Sequence, residues 1–246
     1  MKWAIELNNV RVPMEGGEQP TAMTLLVPPG EFLALVGPNR AGKSLILKLC
    51  VGLVASEEGI VRILDRDLAT LDDDELSELR QRIGVVLQPP GLRSNMTAYT
   101  NVALPIVYHT GVDYADLRDR VMPLLDTLGL GPRQDHFPAQ LTSGEARCVA
   151  LARAMIMNPE LLLIDEPAEG LDSEGILRVE QVLMEYRRTH PVTILATMHT
   201  PSSLLQRADR IAFVRGGRIE AVGQYTELAR APDGSIKPYL TGPMVS

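Results

Sequence analysis

Gly37-Pro38-Asn39-Arg40-Ala41-Gly42-Lys43-Ser44 follows the apolar run Phe32 to Val36 and opens a segment, Lys43 to Leu53, that reads as a helix. The octapeptide fits G-x-x-x-x-G-K-[ST] in the strand, loop, helix setting that this motif needs. Its glycines let backbone N–H groups converge on phosphate oxygens, and the helix N-terminus adds positive potential. Lys43 is placed to reach terminal phosphates, Ser44 to ligate Mg²⁺, and Leu45 carries the loop into the helix. A second run, Leu161 to Ile164, ends in Asp165-Glu166. In a parallel sheet such a strand delivers both carboxylates to the edge where ligands bind. Asp165 then suits Mg²⁺ and Glu166 a general base that polarises an attacking water.

Outward from these two runs, strands alternate with helices, which predicts an α/β domain with a largely parallel sheet. Trp3, Ile5 and Leu7 alternate with polar neighbours, and a Gly/Pro-bearing turn leads to Met23–Val27, so an edge hairpin is expected ahead of the buried strand. Further strands are expected over 59–64, 85–87 and 192–198, and helices over 72–83, 114–128, 145–157 and 175–188. The span 89–158 has no long buried strand and reads as a helical subdomain inserted into a core of residues 1–88 and 159–230. The Pro/Gly-bearing tail 231–246 reads as loosely packed.

Composition narrows the partners. The chain has 246 residues, with 24 Lys and Arg against 31 Asp and Glu, a formal charge of −7. That sign opposes a nucleic-acid-binding face. Cys50 and Cys148 make no C-x-x-C pair, which favours a reducing compartment. With no export signal and no apolar run of about 18 residues, a cytoplasmic chain is expected.

Four more motifs follow in order: Gln88 after a strand, Leu141-Thr142-Ser143-Gly144-Glu145 before a helix, Glu169-Gly170-Leu171-Asp172, and His199 after the strand ending in Met198. With the phosphate loop and the Walker B pair Asp165-Glu166, they resemble an ABC-type ATPase over nearly the whole length. The resemblance implies a P-loop NTPase (ABC ATPase) α/β core with an edge antiparallel β subdomain and an inserted helical subdomain. It implies ATP and Mg²⁺ as cofactors, Gln88 and His199 beside Glu166 in the catalytic set, and Gln88 among the metal ligands. It also implies that the signature Thr142 to Glu145 contacts ATP held by a second copy, and that a separate membrane permease is driven from the cytoplasmic face.

The signature departs from the family pattern LSGGQ at Thr142, Ser143 and Glu145. Ser143 adds a Cβ where backbone approach is close, and Glu145 adds negative charge near phosphate, so slow turnover is expected. Thr200 stands where the family often has Asp. Family members usually stack adenine on an aromatic residue after the first strand. Here Met14, or Val12 or Pro13, falls at that place, with Trp3 as a substitute. Leu92, Met96 and Tyr99 are candidate apolar contacts for the permease. The stretch Asn95 to Pro105, with Tyr108-His109-Thr110 and Tyr239 to Gly242, resembles the ATPase of Mla/Mce-type phospholipid transporters, which implies lipid trafficking and a lipid-binding envelope partner. Lipoprotein-releasing, cell-division and soluble non-transport ABC ATPases remain open alternatives. A P-loop kinase or GTPase would lack the signature and the switch histidine.

Overall fold

The computed structural model describes residues 2–12, 22–230 and 234–241. Its chain order is β1 (Ile5–Arg11), β2 (Met23–Val27), β3 (Phe32–Val36), α1 (Lys43–Cys50), β4 (Glu58–Ile63), β5 (Arg66–Asp67), α2 (Asp73–Gln81) and β6 (Ile83–Val86). Then come α3 (Ala98–Thr110), α4 (Arg118–Thr127), α5 (Ser143–Met155), β7 (Leu161–Asp165), α6 (Ser173–Thr189) and β8 (Thr193–Met198). β9 (Arg210–Arg215), β10 (Arg218–Gly223), α7 (Tyr225–Leu228) and α8 (Lys237–Thr241) complete it.

The strands form two sheets, an antiparallel one ordered β2-β1-β4-β5 and a mixed one ordered β10-β9-β3-β8-β7-β6. Within the larger sheet β9, β3, β8, β7 and β6 run parallel, and only β10 is antiparallel to its neighbour. Strands β3, β7 and β8 are buried along their whole length, as parallel strands covered on both faces must be. Their period-two alternation sorts side chains into two cores. Phe32, Ala34, Val36, Leu162, Ile164, Ile194 and Ala196 face the helices α3 to α6. Leu33, Leu35, Leu161, Leu163 and Leu195 face α1 and the antiparallel sheet. Because these strands are parallel, Val36, Val86, Asp165 and Met198 all end at one edge, so the loops after them converge there.

Several boundaries differ from the sequence reading. Asp72 is not in α2 but caps it, its side chain accepting from Glu75 N while Glu75 reaches back to Asp72 N, and Ile83 already belongs to β6. The expected helix 114–128 begins as a 3-10 turn, Tyr114–Leu117, before α4. α5 starts at Ser143, because Thr142 takes the cap. α3 is not expected from the sequence pattern, since Pro105 interrupts it. The tail is less loose than expected: Ile236 and Leu240 are each 3% exposed within the helix-side core, and Tyr225 Oη donates to Leu240 O at 3.1 Å.

Candidate functional site

The phosphate loop leaves β3 through Gly37, whose φ is +150°, and a Cβ there would lie 2.0 Å from Val214 O. Only glycine fits. Gly42, at φ +99°, caps α1, while Arg40 takes the left-handed region at φ +62°. Lys43 is 6% exposed, and its Nζ donates to Gly37 O at 2.8 Å and Pro38 O at 2.9 Å. Burial lowers its pKa, and Glu166 and Asp165 partly oppose that. An ammonium held against carbonyls in a buried loop is a cation short of counter-charge, the condition that phosphate oxygens relieve.

At the end of the loop, Ser44 Oγ donates to Asp165 Oδ1 at 3.0 Å, and Thr197 Oγ1 donates to the same atom at 2.6 Å. Thr197 Oγ1 also accepts from Glu166 N at 3.1 Å, fixing the residue that turns out of β7 with φ +54°. Glu166 Oε2 lies 2.8 Å from His199 Nδ1 and accepts from His199 N at 3.2 Å. Burial raises the Glu166 pKa, against the lowering influence of His199 and Lys43. A carboxyl with raised basicity beside a phosphate loop suits a general base. Among the described residues, no group of three or more His, Cys, Asp or Glu is placed to hold a metal unaided. The oxygen donors of Ser44, Asp165 and Gln88 instead fit Mg²⁺ carried in with phosphates, since that ion commonly takes one or two carboxylates and completes its shell with substrate oxygens and water. A cavity of about 530 Å³ is lined by Asn39, Arg40, Ala41, Gly42, Lys43, Ser44, Leu45 and Lys48, and by Gln88, Glu166, Glu169 and His199.

The signature lies elsewhere. Thr142, Gly144 and Glu145 line a second cavity beside Gly170 to Asp172, so this chain does not bring its signature to its own phosphate loop. Thr142 and Glu145 form a reciprocal cap, Glu145 N donating to Thr142 Oγ1 at 3.1 Å and Thr142 N to Glu145 Oε2 at 2.8 Å. Arg133 Nε donates to Glu145 Oε1 at 2.9 Å. The Thr142 backbone and then Arg133 hold the Glu145 carboxyl below its ordinary pKa, so the extra charge is compensated locally rather than standing bare near phosphate. The helix N-terminus then offers the N–H groups of Ser143 and Gly144. Ser143 is accommodated because Gly170, at φ +74°, lacks the Cβ that would sit 2.7 Å from Ser143 Oγ.

Other expectations fare differently. Met14 and Pro13 lie outside the described residues. Val12 is 2% exposed in the core, so its side chain is not free to stack on a base. Trp3 precedes β1 at the end opposite Val12 and is absent from the lining of the phosphate-loop cavity. Leu92 and Tyr99 are only partly exposed, both packing against the helix-side core, and Tyr99 Oη donates to Tyr114 O at 2.8 Å. Met96 is partly buried. The apolar surface beside Gln88 comes instead from Leu87, Pro89, Pro90 and Leu53, the last 58% exposed, around a groove of about 430 Å³. The sequence also gave no sign of Thr197, hidden in an apolar strand, or of Arg147, buried at 5% exposure in α5.

A parallel sheet with a phosphate loop after β3, a paired carboxylate after β7 and a histidine after β8 defines a P-loop nucleotide-binding cassette. Residues 21–169 match the family model described as ABC transporter, and the chain belongs to that family. A curated relative, the methionine import ATP-binding protein MetN of Rhodopseudomonas palustris strain BisA53, is 36% identical over 85% of this chain and 56% of its own length. MetN 1 of Burkholderia orbicola strain AU 1054 is 33% identical over 98% of this chain and 71% of its own. This chain thus spans little more than half the length of some of the curated relatives it matches. Among solved structures, a dimeric post-hydrolysis state of the ATP-binding cassette MJ0796 bound to ADP and Pi aligns with a TM-score of 0.83 at 30% identity, covering 89% of this chain and 98% of that one. These curated relatives carry the name of methionine importers, not of lipid transporters.

Proposed function

We propose that this chain binds and hydrolyses Mg²⁺-ATP and so energises a separate membrane permease. The observation that carries this is that Lys43, Ser44, Glu166 and His199 line one cavity, with Ser44 bonded through Asp165 to the buried Thr197 and Glu166 paired with His199. Asp165 and Ser44, with Gln88, would hold Mg²⁺, which neutralises charge on the phosphates when bound. Lys43 would bind the terminal phosphates, Glu166 would take the proton of the attacking water, and His199 would orient Glu166. The placement of the signature in a different cavity from the phosphate loop supports a second copy, whose Ser143 and Gly144 N–H groups would close over the nucleotide. We divide the chain into a nucleotide-binding core, 1–88 and 159–230, a helical subdomain, 89–158, and a tail, 231–246.

No helix among the described residues is long and apolar enough to cross a membrane. The permease would dock in the groove beside Gln88 at the inner face of the membrane. For cargo we favour methionine or a similar small amino acid, from the names of the curated relatives. Two residues of the stretch behind the phospholipid reading have structural duties: Thr97 caps α3, and Asn101, fully buried, donates to Arg93 O, Met96 O and Thr97 O.

Glu166→Gln keeps shape while removing the base, so it should bind ATP, stop hydrolysis and accumulate an ATP-dependent dimer. Light scattering after size exclusion reads that dimer. An ATP-insensitive monomer, alone and with its permease, would refute the closed pair. Uptake of labelled methionine by vesicles carrying the co-purified permease, set against transfer of labelled phospholipid, decides the cargo.

A further inference from the structure

Glu169 sits in the turn after β7 and joins two elements that the hydrolysis scheme leaves unconnected. Gln88 Nε2 lies 2.5 Å from Glu169 Oε1 and 2.6 Å from Oε2. An ionised carboxylate only accepts, so the group facing it is the amide nitrogen, and this fixes the flip of the side chain. The Gln88 carbonyl Oε1 is thereby left for the cavity that Gln88 and Glu169 both line. On its other side Glu169 is anchored by Arg147 of α5, whose Nη2 donates to Oε2 at 2.5 Å and whose Nε donates to the Glu169 carbonyl at 3.0 Å. Arg147 Nη1 donates in addition to the Asp165 carbonyl at 2.7 Å. The chain of contacts runs from the helix headed by the signature, through a buried guanidinium, to the carboxylate that grips the glutamine.

We propose that Glu169 is a positioning residue for the metal site: it pins the Gln88 amide so that Oε1 faces the Mg²⁺ that arrives with ATP, and Arg147 ties that orientation to α5. A hard cation takes oxygen donors, and a ligand whose far side is held by a carboxylate is both oriented and made more basic. The role rests on the ATP-hydrolysis reading.

The test is binding of Mn²⁺, in place of Mg²⁺, with a non-hydrolysable ATP analogue, following free Mn²⁺ by its electron paramagnetic resonance signal. Glu169→Gln keeps an acceptor for Arg147, and Glu169→Asp keeps the charge while drawing it back from Gln88, so at least one variant should fold as the parent does. Each should weaken Mn²⁺ binding by about tenfold, the low end of what supporting shells contribute to metal affinity. In a Gln88→Ala background the same changes should add less than a factor of about two, because the glutamine they act through is gone. Unchanged Mn²⁺ affinity in both variants, or an equal loss with and without Gln88, would overturn the assignment while leaving the ATPase reading intact. A parent chain that retains no Mn²⁺ with the analogue would overturn the nucleotide reading itself, and this one with it.

Discussion

Thr197→Val is nearly isosteric and removes one hydroxyl from a fully buried position. That hydroxyl donates to Asp165 at 2.6 Å and accepts from Glu166 N at 3.1 Å. Losing a bond to a charged acceptor costs about 1.5–3 kcal/mol, and an orphaned buried N–H costs about 1–3 kcal/mol more. Ser44 still donates to Asp165, which limits the first cost, so a total of about 3 kcal/mol is expected, toward the low end of the combined range. For a chain of this size each kcal/mol moves the melting temperature by about 2–4 °C, giving a fall of about 6–12 °C. Thermal unfolding followed by circular dichroism reads it. Phosphate release should fall by at least about tenfold, because Asp165 and Glu166 lose the group that sets their relative position. Thr197→Ser keeps the hydroxyl and should retain most of both quantities. A Val variant that melts within about 2 °C of the parent, or a Ser variant as damaged as the Val variant, would refute the role given to this hydroxyl.

Three further outcomes are expected. Glu166 has a raised pKa, so the folded chain keeps its proton to a higher pH than the unfolded chain does; the resulting stabilisation is full below the ordinary carboxylate value and is lost as pH rises through the raised one. The acidic limb of the hydrolysis rate should therefore lie above about pH 4.5 and move higher in His199→Ala, whose imidazole normally lowers that pKa; a limb that stays put in the variant would separate His199 from Glu166. Gly170→Ala should destabilise the chain, since its Cβ would meet Ser143 Oγ at 2.7 Å and φ is +74°, and Ser143→Gly should recover the steric part but not the roughly 1–2 kcal/mol of backbone cost; additive changes in melting temperature would show that the two positions do not touch. Met14→Tyr should tighten ATP binding by supplying an aromatic face, worth about 1–3 kcal/mol, and unchanged affinity by calorimetry would place adenine elsewhere.

The residues legible in the sequence are those whose role is written locally. Gly37, Gly42, Lys43 and Ser44 follow one strand, Asp165 and Glu166 end another, and parallel pairing alone carries them to one edge. Roles that depend on contacts far along the chain were not legible. Thr197 reads as one more β-branched strand residue until β8 is paired with β7, which sets Thr197 beside Asp165. Glu169 reads as a loop acid until β6 brings Gln88 to it across 81 positions of sequence. The local pairing of Glu145 is not legible in the motif because its partner Arg133 lies twelve residues away, outside it. The helix α3 is hard to read because Pro105 breaks the pattern, although Thr97 caps its start and Gly111, at φ +70°, ends it.

Phosphate release by the purified parent chain and by Lys43→Ala, measured with Mg²⁺-ATP and with the permease present, tests the central claim most directly. Lys43 is the cation enclosed by the phosphate loop, bonded to Gly37 O and Pro38 O in this structure, and its loss leaves the terminal phosphates without that charge. The account expects Mg²⁺-dependent release from the parent and a fall of at least about a hundredfold in the variant. Parent-like turnover in Lys43→Ala, or no release from the parent under any of these conditions, would contradict it.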